Sequence, residues 1–170
     1  LGCRVDTDGC RITVYPPEKL TARDVAVPAD ISSAAFFLVA GAIVPGSCVT
    51  IQGVGVNPTR AGILRVFEAM NVQFSLENER TVCGEPVADI RVKKSPLRAV
   101  SFGREWMPSL IDELPVIALL CAFAEGESVI TGAEELRVKE SDRIATTAEM
   151  IAALGGDCTA TADGFVFRGK

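Results

Sequence analysis

Two apolar runs, at residues 34–44 and 114–124, constrain this chain more than any other feature. Neither reaches the ~20 residues that a helix needs to span a bilayer, so both read as core helices. The first is apolar on every side, the pattern of a helix buried all round. The two runs also occupy equivalent places in a repeated pattern. Residues 47–51 match 127–131 at an offset of about 80, and the helical stretch ending at Met70 matches 143–154 at about 84. The difference falls in the loop 134–140, so the second copy carries a longer and more charged loop, the place where function is expected.

Around those runs the remaining elements follow from local chemistry. Short extended pieces at 3–5 and 11–14 flank the turn sequence Asp6-Thr7-Asp8-Gly9. Leu1-Gly2 reads as the end of a helix. A strand at 24–27 precedes Pro28, and Ser32 or Ser33 is a natural N-cap for the first apolar helix. Pro45-Gly46 ends it, 47–52 alternates as a strand, and Gly53-Val54-Gly55 reads as a loop. Asn57-Pro58-Thr59 starts a second helix with Ile63, Leu64, Phe67 and Met70 on its inner stripe. Residues 72–76 and 81–83 read as a strand pair turning at Glu77-Asn78-Glu79. In the second copy a strand at 99–102 leads to a helix over 108–124, a strand at 127–131, a helix at 143–154 and strands at 157–161 and 165–168. Each copy therefore reads strand-helix-strand-helix-strand-strand, an α/β or α+β fold with mixed sheets.

Composition excludes several classes. A net charge of −5 and a pI near 4.8 argue against a nucleic-acid surface, which needs clustered Lys and Arg. No charged-then-apolar leader is visible, so the expectation is a soluble, cytoplasmic chain with no membrane partner. Six cysteines lack any CxxC pair, and Cys48 and Cys121 lie in apolar segments, which reads as buried free thiols in a reducing compartment. The chain has no histidine, so Ser-His and Cys-His nucleophile pairs are excluded within it. No metal site and no cofactor are expected.

The most charged stretch is Leu136-Arg137-Val138-Lys139-Glu140-Ser141-Asp142-Arg143-Ile144, between a strand and a helix. Lys139, Glu140 and Arg143 share a face there, at a helix N-terminus that favours anions. Spacing alone favours a solvated helix start laced with charge pairs. Asp142 and Ser141 suit capping, and Arg137 reads as either a ligand or a solvated neighbour. Asp112 and Glu113 stand at the mouth of the second apolar helix, with Pro115 where proline is tolerated. On structure alone they read as helix-start carboxylates that complement the dipole, or as carboxylates available for acid–base chemistry. Arg60 reads as a structural cation, and Trp106 and Met107 as packing.

LRVKESDRI resembles the signature of the 5-enolpyruvylshikimate 3-phosphate synthases, a family of shikimate-pathway enolpyruvyl transferases. Three further stretches resemble it in the same order: Pro28-Ala29-Asp30-Ile31-Ser32-Ser33-Ala34-Ala35-Phe36-Phe37, Asn57-Pro58-Thr59-Arg60-Ala61-Gly62 and Leu110-Ile111-Asp112-Glu113-Leu114-Pro115. Ala29 replaces a usual glycine, which affects a turn and not the chemistry, and Glu135 stands where some members have asparagine. The resemblance implies stacked βαβαββ units, three to each of two domains. Residues 1–170 would then be part of one domain, with one unit at about 24–84 and another at about 99–169.

The resemblance also implies an activity: transfer of the carboxyvinyl group of phosphoenolpyruvate to the 5-hydroxyl of shikimate 3-phosphate, releasing phosphate. Asp112 would be the catalytic base that holds the sugar hydroxyl, and Glu140 would move the proton at the methylene carbon. Lys139 and Arg143, with Asp112, would bind the substrates. The remainder of the same polypeptide would complete the site, so this stretch alone is expected to be inactive. The alternatives are a UDP-N-acetylglucosamine carboxyvinyltransferase, which would lack LRVKESDRI, and a non-catalytic scaffold or binding domain. RNA 3′-phosphate cyclases share this kind of repeat, but the acidity and the lack of a basic, aromatic-lined surface weigh against them.

Overall fold

The computed structural model describes residues 2–169, so Leu1 of the expected Leu1-Gly2 helix end lies outside it. The chain opens with an antiparallel hairpin, β1 (Arg4–Asp8) and β2 (Arg11–Tyr15), that forms its own two-stranded sheet. The sequence then runs α1 (Ile31–Ile43), β3 (Cys48–Gly55), α2 (Gly62–Ala69), β4 (Gln73–Val82) and β5 (Glu85–Lys93). The second copy is β6 (Ser101–Phe102), α3 (Leu114–Ala122), β7 (Gly126–Ile130), α4 (Arg143–Ala153), β8 (Cys158–Ala160) and β9 (Phe165–Gly169).

The two main sheets have the same plan. The first is ordered β3-β5-β4 and the second β6-β7-β9-β8. In the second, β6 joins β7 in parallel while the other pairs are antiparallel. In the first, only the parallel bridge from Ala29 to Val54 stands in β6's place, so the strand expected at 24–27 is not formed. This is a mixed α/β fold built from βαβαββ repeats.

Helix α1 packs on β3 and β5, α3 on β9, and α1 and α3 on each other. One continuous core results, from Leu38, Ile63, Phe67 and Ile90 in the first copy to Leu114, Ile117, Leu120, Phe165 and Phe167 in the second. Burying each such side chain contributes roughly 1.5–3 kcal/mol.

Several local expectations change. Asp30, not Ser32 or Ser33, caps α1, accepting from the Ser33 amide at 2.9 Å and its hydroxyl at 3.0 Å. Helix α1 is not buried all round, because Phe36 and Phe37 are each 63% exposed. The run 53–55 continues β3 through a bulge. Strand β4 turns at Cys83-Gly84 into β5, a strand the sequence did not announce. The helix expected from Pro108 is broken into 3₁₀ turns at Met107–Ser109 and Ile111–Glu113 before α3 begins. Pro115 has no N–H to bond back to the carbonyl four residues earlier, so α3 begins afresh at Leu114. Cys48 is exposed and only Cys121 is a fully buried thiol. Among the described residues no helix is long and apolar enough to cross a membrane.

Candidate active site

The site is assembled at the N-terminus of α4. Asp142 caps that helix, accepting from the amides of Ile144 at 3.1 Å and Ala145 at 3.0 Å. Arg137 fixes the preceding 3₁₀ turn, Glu134–Val138. It donates to Asp142 at 2.6 Å, to the Ala162 carbonyl at 2.8 Å and to the Thr161 carbonyl. The hairpin turn between β8 and β9 supplies those two carbonyls, so it serves as the floor of the charged loop. Gly164 in this turn lies so close that a Cβ would stand 2.0 Å from the Ile130 carbonyl oxygen. Each guanidinium nitrogen of Arg137 is thus bonded to protein.

With the loop held, Arg143 faces two carboxylates. Its Nη2 donates to Glu140 Oε2 at 2.6 Å, and its Nη1 lies 3.7 Å from Asp112 Oδ1. Asp112 comes from the turn before α3, so the four expected site residues meet across two elements. Lys139 is paired with Glu135 at 2.8 Å. That pair holds the Lys139 ammonium above its ordinary pKa, with Asp112's charge adding to the effect and Arg143's opposing it. Glu140's carboxyl is held below the usual range, first by its own backbone N–H and then by Arg143. A cleft of about 200 Å³ lies beside Asp112, lined by Thr59, Arg60, Ser109 and Glu113. Another of about 690 Å³ opens between Arg104, Ile111, Glu135, Arg137 and Val138.

This set suits anionic, hydroxylated substrates. One guanidinium, of Arg143, and one ammonium, of Lys139, lie near a helix N-terminus, where N–H groups and the dipole favour negative charge. Arginine's planar fork matches carboxylate or phosphate. Two carboxylates in different surroundings can divide acid and base work without histidine.

One contact beside Asp112 lies beyond what the sequence announces. Glu113, only 4% exposed, accepts a hydrogen bond from the Ser32 hydroxyl on α1, and Arg60 donates to the same hydroxyl at 3.1 Å. Trp106 packs as expected, stacked on Phe102 at 4.8 Å with the Arg65 guanidinium 3.9 Å over its ring.

Comparison with known proteins agrees with this architecture. Residues 1–170 match the family model of EPSP synthase (3-phosphoshikimate 1-carboxyvinyltransferase). The 3-phosphoshikimate 1-carboxyvinyltransferase of Gloeobacter violaceus is 51% identical over 168 residues, covering 99% of this chain and 39% of that protein. The Geobacter sulfurreducens protein of that name is 52% identical over the same share of each. A solved EPSP synthase from Acinetobacter baumannii superposes with a TM-score of 0.94 at 45% identity, covering 99% of this chain and 38% of that one. The enolpyruvyl transferase NikO from Streptomyces tendae, at 23% identity and a TM-score of 0.70, shares the fold. The chain spans 39% of the length of its Gloeobacter relative, and over that span it belongs to the EPSP synthase family.

Proposed function

We propose that the protein containing this chain transfers the carboxyvinyl group of phosphoenolpyruvate to the 5-hydroxyl of shikimate 3-phosphate, in the cytoplasm. The observation that carries this reading is Arg143 poised between Glu140 and Asp112, with Lys139 alongside. Arg143 and Lys139 hold the anionic groups of the substrates. Asp112 accepts the proton of the attacking hydroxyl. Once Arg143 turns from it to the substrate anion, Glu140 can carry a proton, and it delivers that proton to the methylene carbon as the hydroxyl oxygen bonds to the adjacent carbon, giving a tetrahedral intermediate. The same carboxylate takes a proton back from the resulting methyl group as the carbon–oxygen bond to phosphate breaks. The proton held by Asp112 leaves with the phosphate, so protons balance, and no redox partner or metal is required by these steps.

Residues 1–170 form part of one domain in this reading, with repeats at about 24–84 and 99–169 and β5 going with the first. The 39% coverage of the relative supports a site completed by further residues of the same polypeptide, which also close it against water. This chain alone then binds without turning over.

The test is an NMR titration of the chain with shikimate 3-phosphate, with UDP-N-acetylglucosamine as control. Saturable shifts at Asp112, Lys139 and Arg143 with the former are expected. Shifts with the nucleotide sugar alone would overturn the assignment, and phosphate release by the isolated chain would overturn the division of labour.

A further inference from the structure

The turn that carries Asp112 is gripped from the first repeat at two points. On one side, Gly62 at the start of α2 lies against it so closely that a Cβ there would stand 2.4 Å from Ser109 Oγ and 2.8 Å from both Leu110 Cβ and the Ser109 carbonyl oxygen. On the other, the Ser32 hydroxyl in the first turn of α1 donates to Glu113 Oε1. Arg60 joins the two sides. It donates to Ser32 Oγ at 3.1 Å, lies 3.5 Å from the α1 cap Asp30, and lines the cleft with Asp112 and Glu113. A chain of polar contacts thus runs from α1 and α2 to the residue next to Asp112, and continues from Asp112 through Arg143 to Glu140.

Glu113 has no evident reason to be a buried carboxylate if its work were packing alone. Glutamate is rarely buried without a partner, and burial costs the ionised form. Burial does push its carboxyl above the ordinary value, and Asp112's charge pushes the same way, against Ser32 and Arg60. A leucine there would fill space without that cost, but it could not fix the turn's rotation. A hydrogen bond to a helix start can.

We propose that Glu113 is a positioning residue: tied to Ser32, it clamps the 3₁₀ turn Ile111–Glu113 and thereby sets the placement of Asp112 against Arg143. This rests on the reading that Asp112 and Arg143 form the substrate site. The bonded oxygen of Glu113 faces α1, and its role is to act through Asp112. A misplacement of about 1 Å in a reacting group costs on the order of a hundredfold in rate, so a modest rotation of this turn matters far more to chemistry than to folding.

The test compares Glu113→Ala, Glu113→Gln and Ser32→Ala in the 170-residue chain. The readouts are the Asp112 amide and Arg143 side-chain N–H resonances without ligand, stability, and the Kd for shikimate 3-phosphate. Glu113→Ala should move or broaden both resonances and weaken binding about tenfold. Gln keeps the acceptor oxygen, so it should restore both. Ser32→Ala should shift the same resonances in the same direction by less, and it serves if Glu113→Ala fails to fold. Loss of stability with Asp112 and Arg143 resonances unmoved would overturn the proposal, as would failure of Gln to restore them. If the wild-type chain binds no shikimate 3-phosphate while these ligand-free resonances respond as stated, the claim that this chain binds by itself falls and the clamp stands.

Discussion

Arg143, the first residue of α4, donates to Glu140, three residues earlier in the loop, at 2.6 Å. The arginine assigned to an anionic substrate in the proposed reaction is therefore already engaged. Glu140 is fully solvated and its carboxyl is held low, by its own amide and by Arg143. An acid depressed in the folded state stabilises above its unfolded pKa, and that contribution is lost as pH falls through the folded value. Glu140 should titrate below an ordinary glutamate, and Arg143→Ala should move its midpoint upward. Side-chain carboxyl NMR across the acid range reads this directly, and an unmoved midpoint would separate the two residues.

Arg143→Lys keeps the charge but loses the fork that reaches Glu140 and Asp112 on separate nitrogens. Losing one charge-assisted hydrogen bond costs roughly 1.5–3 kcal/mol, so anion affinity should fall by about ten- to a hundredfold. Calorimetric titration with shikimate 3-phosphate, or with phosphoenolpyruvate on a longer chain, checks the number.

Asp142→Ala removes an N-cap with two amide donors and strands one arm of Arg137. The expected loss is about 0.5–2 kcal/mol in urea unfolding. Because the cap begins the helix that bears Arg143, the shifts at Arg143 should exceed those at the distant strand β5.

Gly164→Ala should be more damaging than its size suggests. The Cβ would meet the Ile130 carbonyl at 2.0 Å, so the β8–β9 turn must retreat and take the carbonyl partners of Arg137 with it. A drop in thermal midpoint together with loss of the Arg137 hydrogen-bonded signals is expected. A change in midpoint alone would detach the hairpin from the site.

Thiol reactivity should follow burial. Cys121's pKa is pushed up to about 12 and Cys158's to about 11, in both cases mainly by burial. At pH 8 neither forms appreciable thiolate. Mass spectrometry after brief alkylation should find Cys3, Cys10, Cys48 and Cys83, which are exposed, modified before Cys158 and long before Cys121.

What could be read in advance divides by distance along the chain. The Asp142 cap, the first hairpin and the shared face of Lys139, Glu140 and Arg143 are local, and local chemistry specifies them. Asp112's approach to Arg143 depends on how α3 and α4 pack, and only resemblance pointed to it. A turn signal at Glu77-Asn78-Glu79 hides strand β5 in the sequence. Asn78 does adopt a positive φ of 52°, but it serves a bulge at which β4 shifts register between Glu77 and Arg80. Asp89 of β5 secures that bulge, accepting from Asn78 at 2.9 Å and from the Gly53 amide at 2.8 Å. The Ser32–Glu113 bond joins residues 81 apart, beyond any periodicity. The exposure of Phe36 and Phe37 was equally hidden, since an all-apolar helix does not say which side lacks a neighbour.

The tie between Ser32 and Glu113 also bears on how far this repeat can be taken apart. Two copies of a βαβαββ unit look interchangeable, and the short connection at 94–99 looks like the place to cut them. Cutting there would leave Asp112, Glu113, Glu140 and Arg143 on one piece and the hydroxyl bonded to Glu113 on the other. Each piece would also present a raw apolar face where α1 and α3 had met. A duplicated module in this state has lost its independence: the second copy holds the Asp112–Arg143–Glu140 cluster, and the first reaches across to the turn that bears it. Shuffling or swapping either copy between relatives should succeed only when Ser32, Arg60, Gly62 and Glu113 travel as a set.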